Sequence, residues 1–419
     1  MKRQDIPILV VGAGGAGMIA AWRAASLGAE VLVLERNKKP GIKLLISGGG
    51  KCNVTHAGSK EDLLRAFDVR QARFLKPSFF RFANDDIIGL IESRGVKTFV
   101  RPNGRVFPVS GRADDIVDAL VQSMIKTGVD IRLNTSVRGI THDGDGITGV
   151  SVGEGQIESD LVVLCTGGVS YPRTGTTGDG FAWAQDCGHT IAPLRPALAP
   201  IGIEPPLPRE WRGIAIRGGR LSITADSQTL CSWDDDIMFS HEGLSGPAAL
   251  EVSHRAATAR EDGPVFLQLD FFPGKEFTEL DDELNALVQE QRGKMIGSVL
   301  EAWLPNRIVP ALLRSINVDP EKRGHTLMRE ERRTIAHLLK AWTIGSVGTI
   351  NIERGEVTAG GVDLAEVDPH SMRSRRMRGL YLCGEVLDVA GPVGGYNLQA
   401  AFSTGYVAGE MAAHDWLAG

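Results

Sequence analysis

The first 35 residues of the chain contain a strand, a glycine turn, a helix, a second strand and an acidic residue, and this order restricts the fold more than any other feature. The apolar run at 6–11 leads into Gly-Ala-Gly-Gly-Ala-Gly at 12–17, and a second apolar run at 31–34 ends at Glu35. A glycine turn that joins a buried strand to a helix is typical of dinucleotide-binding α/β folds. The chain therefore begins with a predicted Rossmann-like unit.

The glycines of the turn have separate roles in such a site. Gly12 permits the tight turn, Gly14 lets the backbone approach a pyrophosphate, and Gly17 lets the helix pack closely on the strand. The free N–H groups at the helix N-terminus carry partial positive charge and attract phosphate. We expect the whole turn to bind the cofactor, namely Gly12, Ala13, Gly14, Gly15, Ala16 and Gly17.

The acid after the second strand indicates which dinucleotide binds. Glu35 lies 18 residues after Gly17, where a carboxylate can accept hydrogen bonds from both ribose hydroxyls. A carboxylate also repels a 2′-phosphate, so the ligand is FAD or NAD rather than NADP. The neighbouring Arg36 is expected to lie in the same site.

A glycine-rich segment soon after the second strand favours FAD over NAD. Three glycines at 48–50 lie between Lys43 and Lys51, so the backbone can run along a pyrophosphate and a flavin while the lysines offer charge. A simple nicotinamide dehydrogenase has no use for such a segment. The residues expected to bind FAD here are Lys43, Ser47, Gly48, Gly49, Lys51, Cys52 and Asn53.

The C-terminal region contains a second glycine turn that opens a helix. An apolar strand at 379–383 ends in Gly-Glu-x-x-Asp, and a glycine-rich segment then leads into an alanine-rich helix. Backbone N–H groups at such a helix start suit the flavin pyrimidine, which becomes negative on reduction. The residues expected to bind FAD here are Gly384, Glu385, Asp388, Gly395, Tyr396, Asn397 and Leu398. Both ends of the chain then belong to one cofactor domain, and the middle is inserted.

A third apolar strand, at 160–165, also ends at a cofactor-binding position. Thr166 and Gly167 follow it and are expected near the adenosine and pyrophosphate. In two-dinucleotide-fold flavoproteins the segment equivalent to Val137 contacts the adenine through its backbone, and the same contact is expected here.

Composition excludes several classes of protein. The chain has 46 Lys and Arg against 51 Asp and Glu, a formal charge of −5 and a pI near 6.0, so a nucleic-acid partner is unlikely because phosphate contacts need a basic stripe. The locally basic run at 373–378 is interpreted as a solvated loop. No apolar stretch approaches the length of a membrane span.

The cysteine pattern predicts that the protein lies in a reducing compartment. Its five cysteines are widely scattered and form no CxxC pair, so neither a metal site nor a local dithiol is expected. The first five residues lead directly into a strand, without a signal peptide. A cytoplasmic monomer or homodimer is expected.

In these segments and several others, the chain resembles the HI0933-like (BaiN/YhiN-type) family of FAD-dependent oxidoreductases. The matching segments occur in order along nearly the whole chain: GAGGAG at 12–17, SGGGKCNVT at 47–55, RPNGRVFP at 101–108, TGGVSYPRTGTTGDG at 166–180, LRPALAPI at 194–201, FSHEGLSGPAAL at 239–250, VTAGGV at 357–362 and LCGEVLDVAGPVGGYNLQAAFSTG at 382–405. This sequence departs from the family pattern at Lys51, where Arg is usual, and at His56, where Asn is common.

The resemblance implies an α/β fold, a two-dinucleotide-binding-type FAD domain carrying an inserted β-barrel-like domain and a helical subdomain. The expected boundaries are 1–191 and 345–419 for the FAD domain, 192–274 and 326–344 for the barrel, and 275–325 for the helical part. Family members resemble flavin reductases of conjugated C=C bonds or amine oxidases.

Four residues are candidates for catalysis. His241 precedes a predicted helix that Ser245 would cap, Arg105 flanks a turn and could polarise a carbonyl, Tyr171 lies on a loop near the predicted flavin, and Tyr396 could donate a proton. The expected reaction is hydride transfer between flavin N5 and a small organic substrate, with reduction of an activated C=C preferred.

Two alternatives remain open, namely an amine oxidase that uses O2 and a flavoprotein that modifies or binds RNA. No second strand–GxGxxG–helix unit is present for a nicotinamide. If NAD(P)H is the reductant, it therefore binds transiently, in turn with the substrate, and ping-pong kinetics are expected.

Overall fold

The structure is a computed structural model that describes residues 6–419. The first five residues, where the sequence predicts no leader peptide, lie outside the described part. The chain forms two compact units, one up to Arg195 together with Glu356 onwards, the other at 196–355. The three-part division with boundaries at 191, 274, 325 and 344 stays a prediction.

Helices and strands alternate through the first unit, and strands precede helices in much of the second. The helices are α1 (Gly15–Ser26), α2 (Ile42–Gly50), α3 (Lys60–Arg65), α4 (Val69–Arg81), α5 (Asn84–Glu92), α6 (Ala113–Lys126), α7 (Asp179–Asp186), α8 (Pro247–Ala259), α9 (Phe277–Glu290), α10 (Ile296–Leu300), α11 (Val309–Ser315), α12 (Arg329–Lys340) and α13 (Tyr396–Ala418). The strands are β1 (Ile8–Val11), β2 (Val31–Leu34), β3 (Thr55–His56), β4 (Thr98–Val100), β5 (Arg105–Pro108), β6 (Asp130–Arg132), β7 (Val137–His142), β8 (Ile147–Val152), β9 (Gly155–Glu158), β10 (Val162–Leu164), β11 (Ile191–Ala197), β12 (Ile201–Glu204), β13 (Ala215–Ala225), β14 (Gln228–Phe239), β15 (Gly243–Ser245), β16 (Phe266–Asp270), β17 (Trp342–Val347), β18 (Val357–Val362) and β19 (Leu380–Leu382).

The first unit is built on a five-stranded parallel sheet in the order β19-β10-β1-β2-β6. Val10 on β1 lies between Val163 on β10 and Val33 on β2. The residues of β1, β2, β10 and β19 are all buried, as the continuous apolar runs of a parallel sheet require. Strands from both ends of the chain thus share one sheet, which confirms that part of the expected fold.

The first and last long helices of the first unit pack directly against each other through glycines. A Cβ at Gly405 would lie 2.3 Å from the Ala16 carbonyl oxygen, and one at Gly409 would lie 2.1 Å from the Ala20 carbonyl oxygen. Close approach of the two backbones therefore requires glycine at both positions. This packing fixes the start of α13 relative to the glycine turn that precedes α1.

Smaller sheets complete the first unit. β3, β5 and β4 form an antiparallel sheet in that order, and β7, β8 and β9 form another. β11 pairs with β18 in a two-stranded sheet. β7 and β8 form an antiparallel hairpin across 137–152.

The second unit contains a closed six-stranded barrel in the order β12-β15-β14-β13-β16-β17, with helices α8 to α12. Its core includes Leu221, Ile237 and Leu267, which are fully buried. The expected α/β fold with a barrel is confirmed. The predicted Ser245 cap is wrong, because Ser245 ends β15, and α8 starts at Pro247 with Gly246 before it.

The long apolar segments of the described chain belong to these cores. Within residues 6–419, no helix combines the length and hydropathy that crossing a membrane requires.

Candidate active site

In the glycine turn before α1, close packing requires two of the glycines, and a third borders open space. Gly12 has φ +102°, and a Cβ there would lie 2.7 Å from the Cys165 carbonyl oxygen. A Cβ at Gly17 would lie 1.9 Å from the Gly12 carbonyl oxygen. A Cβ at Gly14 would have no described atom within 4 Å. Packing thus explains Gly12 and Gly17, whereas Gly14 faces space in which a phosphate fits.

The carboxylate of Glu35 lies against this turn. Its Oε2 accepts a 2.7 Å hydrogen bond from the Ala13 N–H, and its Oε1 accepts 2.8 Å bonds from the backbone and side-chain nitrogens of Asn37. The side chain is 6% exposed. Glu35 therefore stands at the end of β2 beside the glycine turn, where the ribose of a dinucleotide is expected.

Two buried polar atoms, one next to the glycine turn and one next to Gly48, lack a protein partner. Among the described residues, Thr166 Oγ1 and Asn53 Oδ1 make no hydrogen bond although both atoms are buried. Such atoms are rare in native proteins and indicate a missing ligand or water. Both belong to residues expected to bind FAD, so the residues present fit a dinucleotide.

The glycine-rich segment after β2 is helical only in its first part. α2 ends in a kink in which Ser47 is extended and Gly48 and Gly49 are left-handed. Cys52 is fully buried and its N–H donates to the Ser47 carbonyl oxygen at 3.0 Å. Burial outweighs a hydrogen bond from Ser47 and raises the pKa of the Cys52 thiol to about 11. The Cys52 side chain is therefore a neutral, buried thiol at physiological pH rather than a nucleophile.

Lys43 and Glu385, both expected to bind FAD, bind each other. The Lys43 Nζ lies 2.9 Å and 2.7 Å from the two carboxylate oxygens of Glu385. Glu385 also accepts hydrogen bonds from the Thr358 N–H at 2.9 Å and from Ser170 Oγ at 3.1 Å. One carboxylate thus joins α2, the segment after β10, β18 and the turn after β19. Sequence reasoning missed Ser170 and Thr358, although both lie in segments that resemble the family.

A second polar cluster surrounds the start of α13. The His56 ring stacks on the Tyr396 ring with centroids 4.8 Å apart and an interplanar angle of 18°. His56 ring nitrogens lie 2.7 Å and 3.0 Å from the carbonyl oxygens of Ala57 and Asn103. Pairing of β3 with β5 places His56 opposite Arg105. The structure thus brings two of the predicted catalytic residues, Arg105 and Tyr396, next to one histidine.

Glu356 extends this cluster and was not predicted. Its side chain is exposed, yet the protein around it raises its pKa, against the opposing influence of Arg105 and Lys43. The charges of Arg105 and Lys43 therefore act on this carboxyl group within the first unit. The signal in the sequence was an acid immediately before the segment VTAGGV, which no local pattern distinguishes from a surface acid.

The other two predicted catalytic residues, His241 and Tyr171, have surroundings of their own. His241 belongs to the second unit, is 64% exposed in its side chain and lies 3.5 Å from Glu242, which also pairs with Arg354. Tyr171 is 38% exposed and has φ +52°. The catalytic roles of His241 and Tyr171 stay predictions.

The remaining residues expected to bind FAD have partners within the protein. Arg36 pairs with Asp179 at 2.8 Å, and Asp388, whose pKa burial raises, pairs with Arg70 at 3.3 Å. The Asn397 side chain binds the N–H and the carbonyl oxygen of Gly391 at 2.7 Å and 2.8 Å. Val137 is buried at the start of β7. Binding of FAD by all these residues stays a prediction.

Known proteins place the chain among flavoproteins. It is 32% identical over 414 residues to a ribosomal RNA dihydrouridine synthase of Escherichia coli, covering 97% of both chains. It is 27% identical over 407 residues to a 3-dehydro-bile acid delta(4,6)-reductase of Clostridium scindens, covering 96% of this chain and 98% of that one. A solved 3-ketosteroid delta1-dehydrogenase of Sterolibacterium denitrificans shares the fold, with a TM-score of 0.53 at 15% identity over 97% of this chain and 99% of that one.

The parallel sheet, the glycine turn and the two orphaned polar atoms fit an FAD-dependent oxidoreductase of the two-dinucleotide-binding type. The sequence profile of the HI0933-like protein Rossmann domain matches residues 6–411, and the chain belongs to the HI0933-like family. The predicted family, fold class and FAD cofactor are confirmed. The use of NAD(P)H stays a prediction.

Proposed function

We propose that this protein is a reductase that saturates a C=C bond conjugated to a carbonyl group, with NAD(P)H as the electron source and a uracil base of RNA as the substrate. The observation that carries the proposal is the cluster around the start of α13, in which Arg105 lies opposite His56 and the His56 ring stacks on Tyr396. Glu356 is exposed in the same unit, where the surrounding protein raises its pKa against the charges of Arg105 and Lys43.

Reduction of a conjugated C=C has three chemical requirements. A hydride must reach the β-carbon, negative charge that builds on the carbonyl oxygen must be stabilised, and a proton must reach the α-carbon. When bound, FAD supplies the two-electron carrier between NAD(P)H and the substrate. The chain itself must supply the cation and the proton.

The cluster contains a group for each of these two tasks. Arg105 can donate hydrogen bonds to the substrate carbonyl oxygen, because a guanidinium offers several N–H groups in a fixed plane. Glu356 is the candidate proton donor, because its raised pKa keeps the proton on the carboxyl group to higher pH than for an ordinary glutamic acid. Tyr396, held by the His56 ring, offers a hydroxyl group and a flat surface on which a ring can pack.

Uracil fits these requirements, since its C5=C6 bond is conjugated to a carbonyl group. A ribosomal RNA dihydrouridine synthase and a bile acid delta(4,6)-reductase both have names that describe reduction of such a bond. The shared chemistry supports reduction rather than oxidation. The dihydrouridine synthase is 32% identical along almost the whole chain, and this favours RNA, which net charge alone had made unlikely.

A small dienone is the second candidate substrate. The bile acid reductase is also similar over 96% of this chain, and its substrate presents a carbonyl group conjugated to C=C bonds. The same roles of Arg105 and Glu356 apply to it. The two candidates therefore differ in what binds around the reacting bond.

One experiment separates the possibilities. The purified holoenzyme is reduced anaerobically with NADH or NADPH and then mixed with a uridine-containing transcript of ribosomal RNA or with a steroid dienone. We expect the RNA to reoxidise the flavin and its nucleosides to contain dihydrouridine, identified by mass spectrometry from the gain of two hydrogen atoms.

Other outcomes would replace the proposal. Reoxidation by the dienone alone would establish the second candidate. Failure of both substrates, together with peroxide release from an amine under air, would establish the amine oxidase instead.

A further inference from the structure

One segment of the second unit is basic although the protein as a whole is acidic. Residues 291–333 contain nine Lys or Arg and five Asp or Glu, a formal charge of +4, whereas the whole chain carries −5. The remaining residues therefore carry −9. Such asymmetry is typical of a surface that binds a polyanion.

Two loops within this segment are joined backbone to backbone. Met295 and Arg323 form an antiparallel bridge. The Gly324 N–H donates to the Lys294 carbonyl oxygen at 2.9 Å, and the His325 N–H donates to the Arg292 carbonyl oxygen at 3.2 Å. We call Arg292, Lys294, Arg323 and His325 the basic ladder. All four are exposed, so the charges of Arg292, Lys294 and Arg323 lie close together on an ordered backbone.

The ladder is also tied to the start of α12. The Lys322 Nζ lies 2.6 Å and 2.7 Å from the two carboxylate oxygens of Glu331, which caps that helix at the Met328 N–H. Arg329 is exposed at the first position of α12. A cation at a helix N-terminus is unfavourable to the helix, so helix stability does not explain Arg329.

The side chains of the ladder have no acidic partners. Within residues 6–419, none of Arg292, Lys294, Arg323 and Arg329 forms an ion pair. The more conspicuous basic run at 373–378 behaves differently. Arg373 pairs with Asp415, Arg375 with Asp368 and Arg376 with Glu366. The run is a partly exposed loop before β19, as interpreted, but ion pairs within the first unit neutralise three of its four arginines.

We propose that the basic ladder, together with Arg329, binds the phosphate backbone of the RNA substrate. This inference rests on the proposed function and adds to it a surface of the second unit that recognises RNA by charge. Unpaired arginine and lysine side chains on an ordered backbone bind phosphates of any sequence, and they release counterions when they do so. The ladder would therefore hold RNA without selecting the base that reacts.

The test compares two triple variants of the full-length holoenzyme. The first is Arg292→Gln, Lys294→Gln and Arg323→Gln. The control is Lys97→Gln, Lys126→Gln and Arg260→Gln, which removes the same charge from exposed positions elsewhere. Arg292 follows the C-terminus of α9, where a cation is favourable to the helix. Lys126 lies in the last turn of α6, so the control also loses a cation near a helix C-terminus.

Binding of fluorescein-labelled oligo-uridylate is measured by anisotropy between about 50 and 200 mM salt. We expect the ladder variant to bind about tenfold or more weakly, with the slope of log K against log salt smaller by about 2. The control should bind like the wild type, and both variants should keep wild-type melting temperature and flavin absorbance.

Two outcomes would overturn the proposal, and a third would separate it from the proposed function. Wild-type affinity and salt slope in the ladder variant would show that RNA binds elsewhere. Absence of wild-type binding at the lowest salt would remove RNA as the partner, and ladder-dependent binding to phosphatidylglycerol vesicles in that case would assign the surface to a membrane. Loss of oligo-uridylate binding in the ladder variant, in an enzyme that forms no dihydrouridine, would contradict the proposed reaction while leaving the ladder as an RNA site.

Discussion

Glu356 is the residue whose environment most directly indicates a chemical role. The surrounding protein raises its pKa although the residue is exposed and Arg105 and Lys43 oppose the shift. A raised pKa means that the folded protein prefers the protonated carboxyl group, so this contribution to stability is full below the unfolded pKa and is lost as pH rises through the folded pKa. Glu356 in its charged form therefore does not stabilise the fold at neutral pH, and its presence needs another explanation.

Replacing Glu356 by glutamine tests the proton-donor role. We expect Glu356→Gln to slow substrate reduction about 10²- to 10⁴-fold, the usual contribution of a general acid, and to remove the loss of rate at alkaline pH that titration of the carboxyl group causes. Flavin reduction by NAD(P)H and the melting temperature at neutral pH should not fall. The measurements are anaerobic stopped-flow half-reactions across pH and a thermal melt.

The matched control is Glu353→Gln, which changes an exposed acid three positions earlier. It should leave both half-reactions unchanged. An unaltered pH profile in Glu356→Gln would assign the proton to another group, of which Tyr396 is the first to examine.

At the level of secondary-structure elements, the contact between α1 and α13 explains why the two ends of the chain form one site. Gly409 is in contact with the backbone of α1, where the Ala20 carbonyl oxygen cannot move away. Gly14, by contrast, has open space beyond its Cα and φ −77°, which any residue adopts. The same substitution at these two glycines should therefore have different consequences.

We expect Gly409→Ala to destabilise the protein by about 1–3 kcal/mol or more, because the added methyl group separates two packed helices. Gly14→Ala should keep the fold and lose FAD, because its methyl group occupies space reserved for the pyrophosphate. Thermal unfolding measures the first effect and the ratio of flavin to protein absorbance measures the second. Full FAD occupancy in a folded Gly14→Ala protein would refute the placement of the pyrophosphate.

Glu366 holds the segment before β19 through hydrogen bonds that its carboxylate accepts. The Glu366 carboxylate accepts hydrogen bonds from the Thr190 N–H at 2.7 Å and from Arg376 Nη2 at 2.6 Å. Burial opposes ionisation, but these bonds prevail and lower the pKa of Glu366 to about 2. The buried His189 ring lies 3.3 Å away, and burial lowers its pKa.

A lowered pKa gives stability that is present above the unfolded pKa and is lost as pH falls through the folded pKa. We expect Glu366→Gln to lower the free energy of unfolding by about 3 kcal/mol at pH 7, and by progressively less as pH approaches about 2. Urea denaturation at several pH values measures this. The exposed Glu158→Gln is the control, and equal effects of the two substitutions would show that the bonds to Glu366 do not stabilise the fold.

For the whole molecule, the presence of a single strand–GxGxxG–helix unit in the sequence makes a kinetic prediction. A nicotinamide without its own dinucleotide-binding unit must use the same flavin in turn with the substrate. Initial rates at varied NAD(P)H and substrate should therefore give parallel double-reciprocal lines. Intersecting lines would show that both molecules bind at once, and would require a separate nicotinamide site.

Much of the cofactor-binding unit was predictable because its signals are local. The turn at 12–17, the acid at Glu35 and the apolar runs of β1 and β2 lie within one short segment, and each restricts its own backbone conformation. The parallel sheet that unites both ends of the chain followed from the same kind of pattern near residues 379–401. The Ser245 cap failed because local preference for serine at a helix start was weaker than the pairing of β15 in the barrel.

Sequence patterns thus settled the fold class, the FAD cofactor and the segments that surround the cofactor, because those features depend on neighbouring residues. The tertiary structure alone decided which charges neutralise each other and which remain available. Lys43 and Glu385 are 342 positions apart and pair, three of the four arginines of 373–378 form ion pairs, and the charges of Arg105 and Lys43 act on Glu356. Coulomb and desolvation energies depend on distance in space and on burial, and neither can be read from the order of residues.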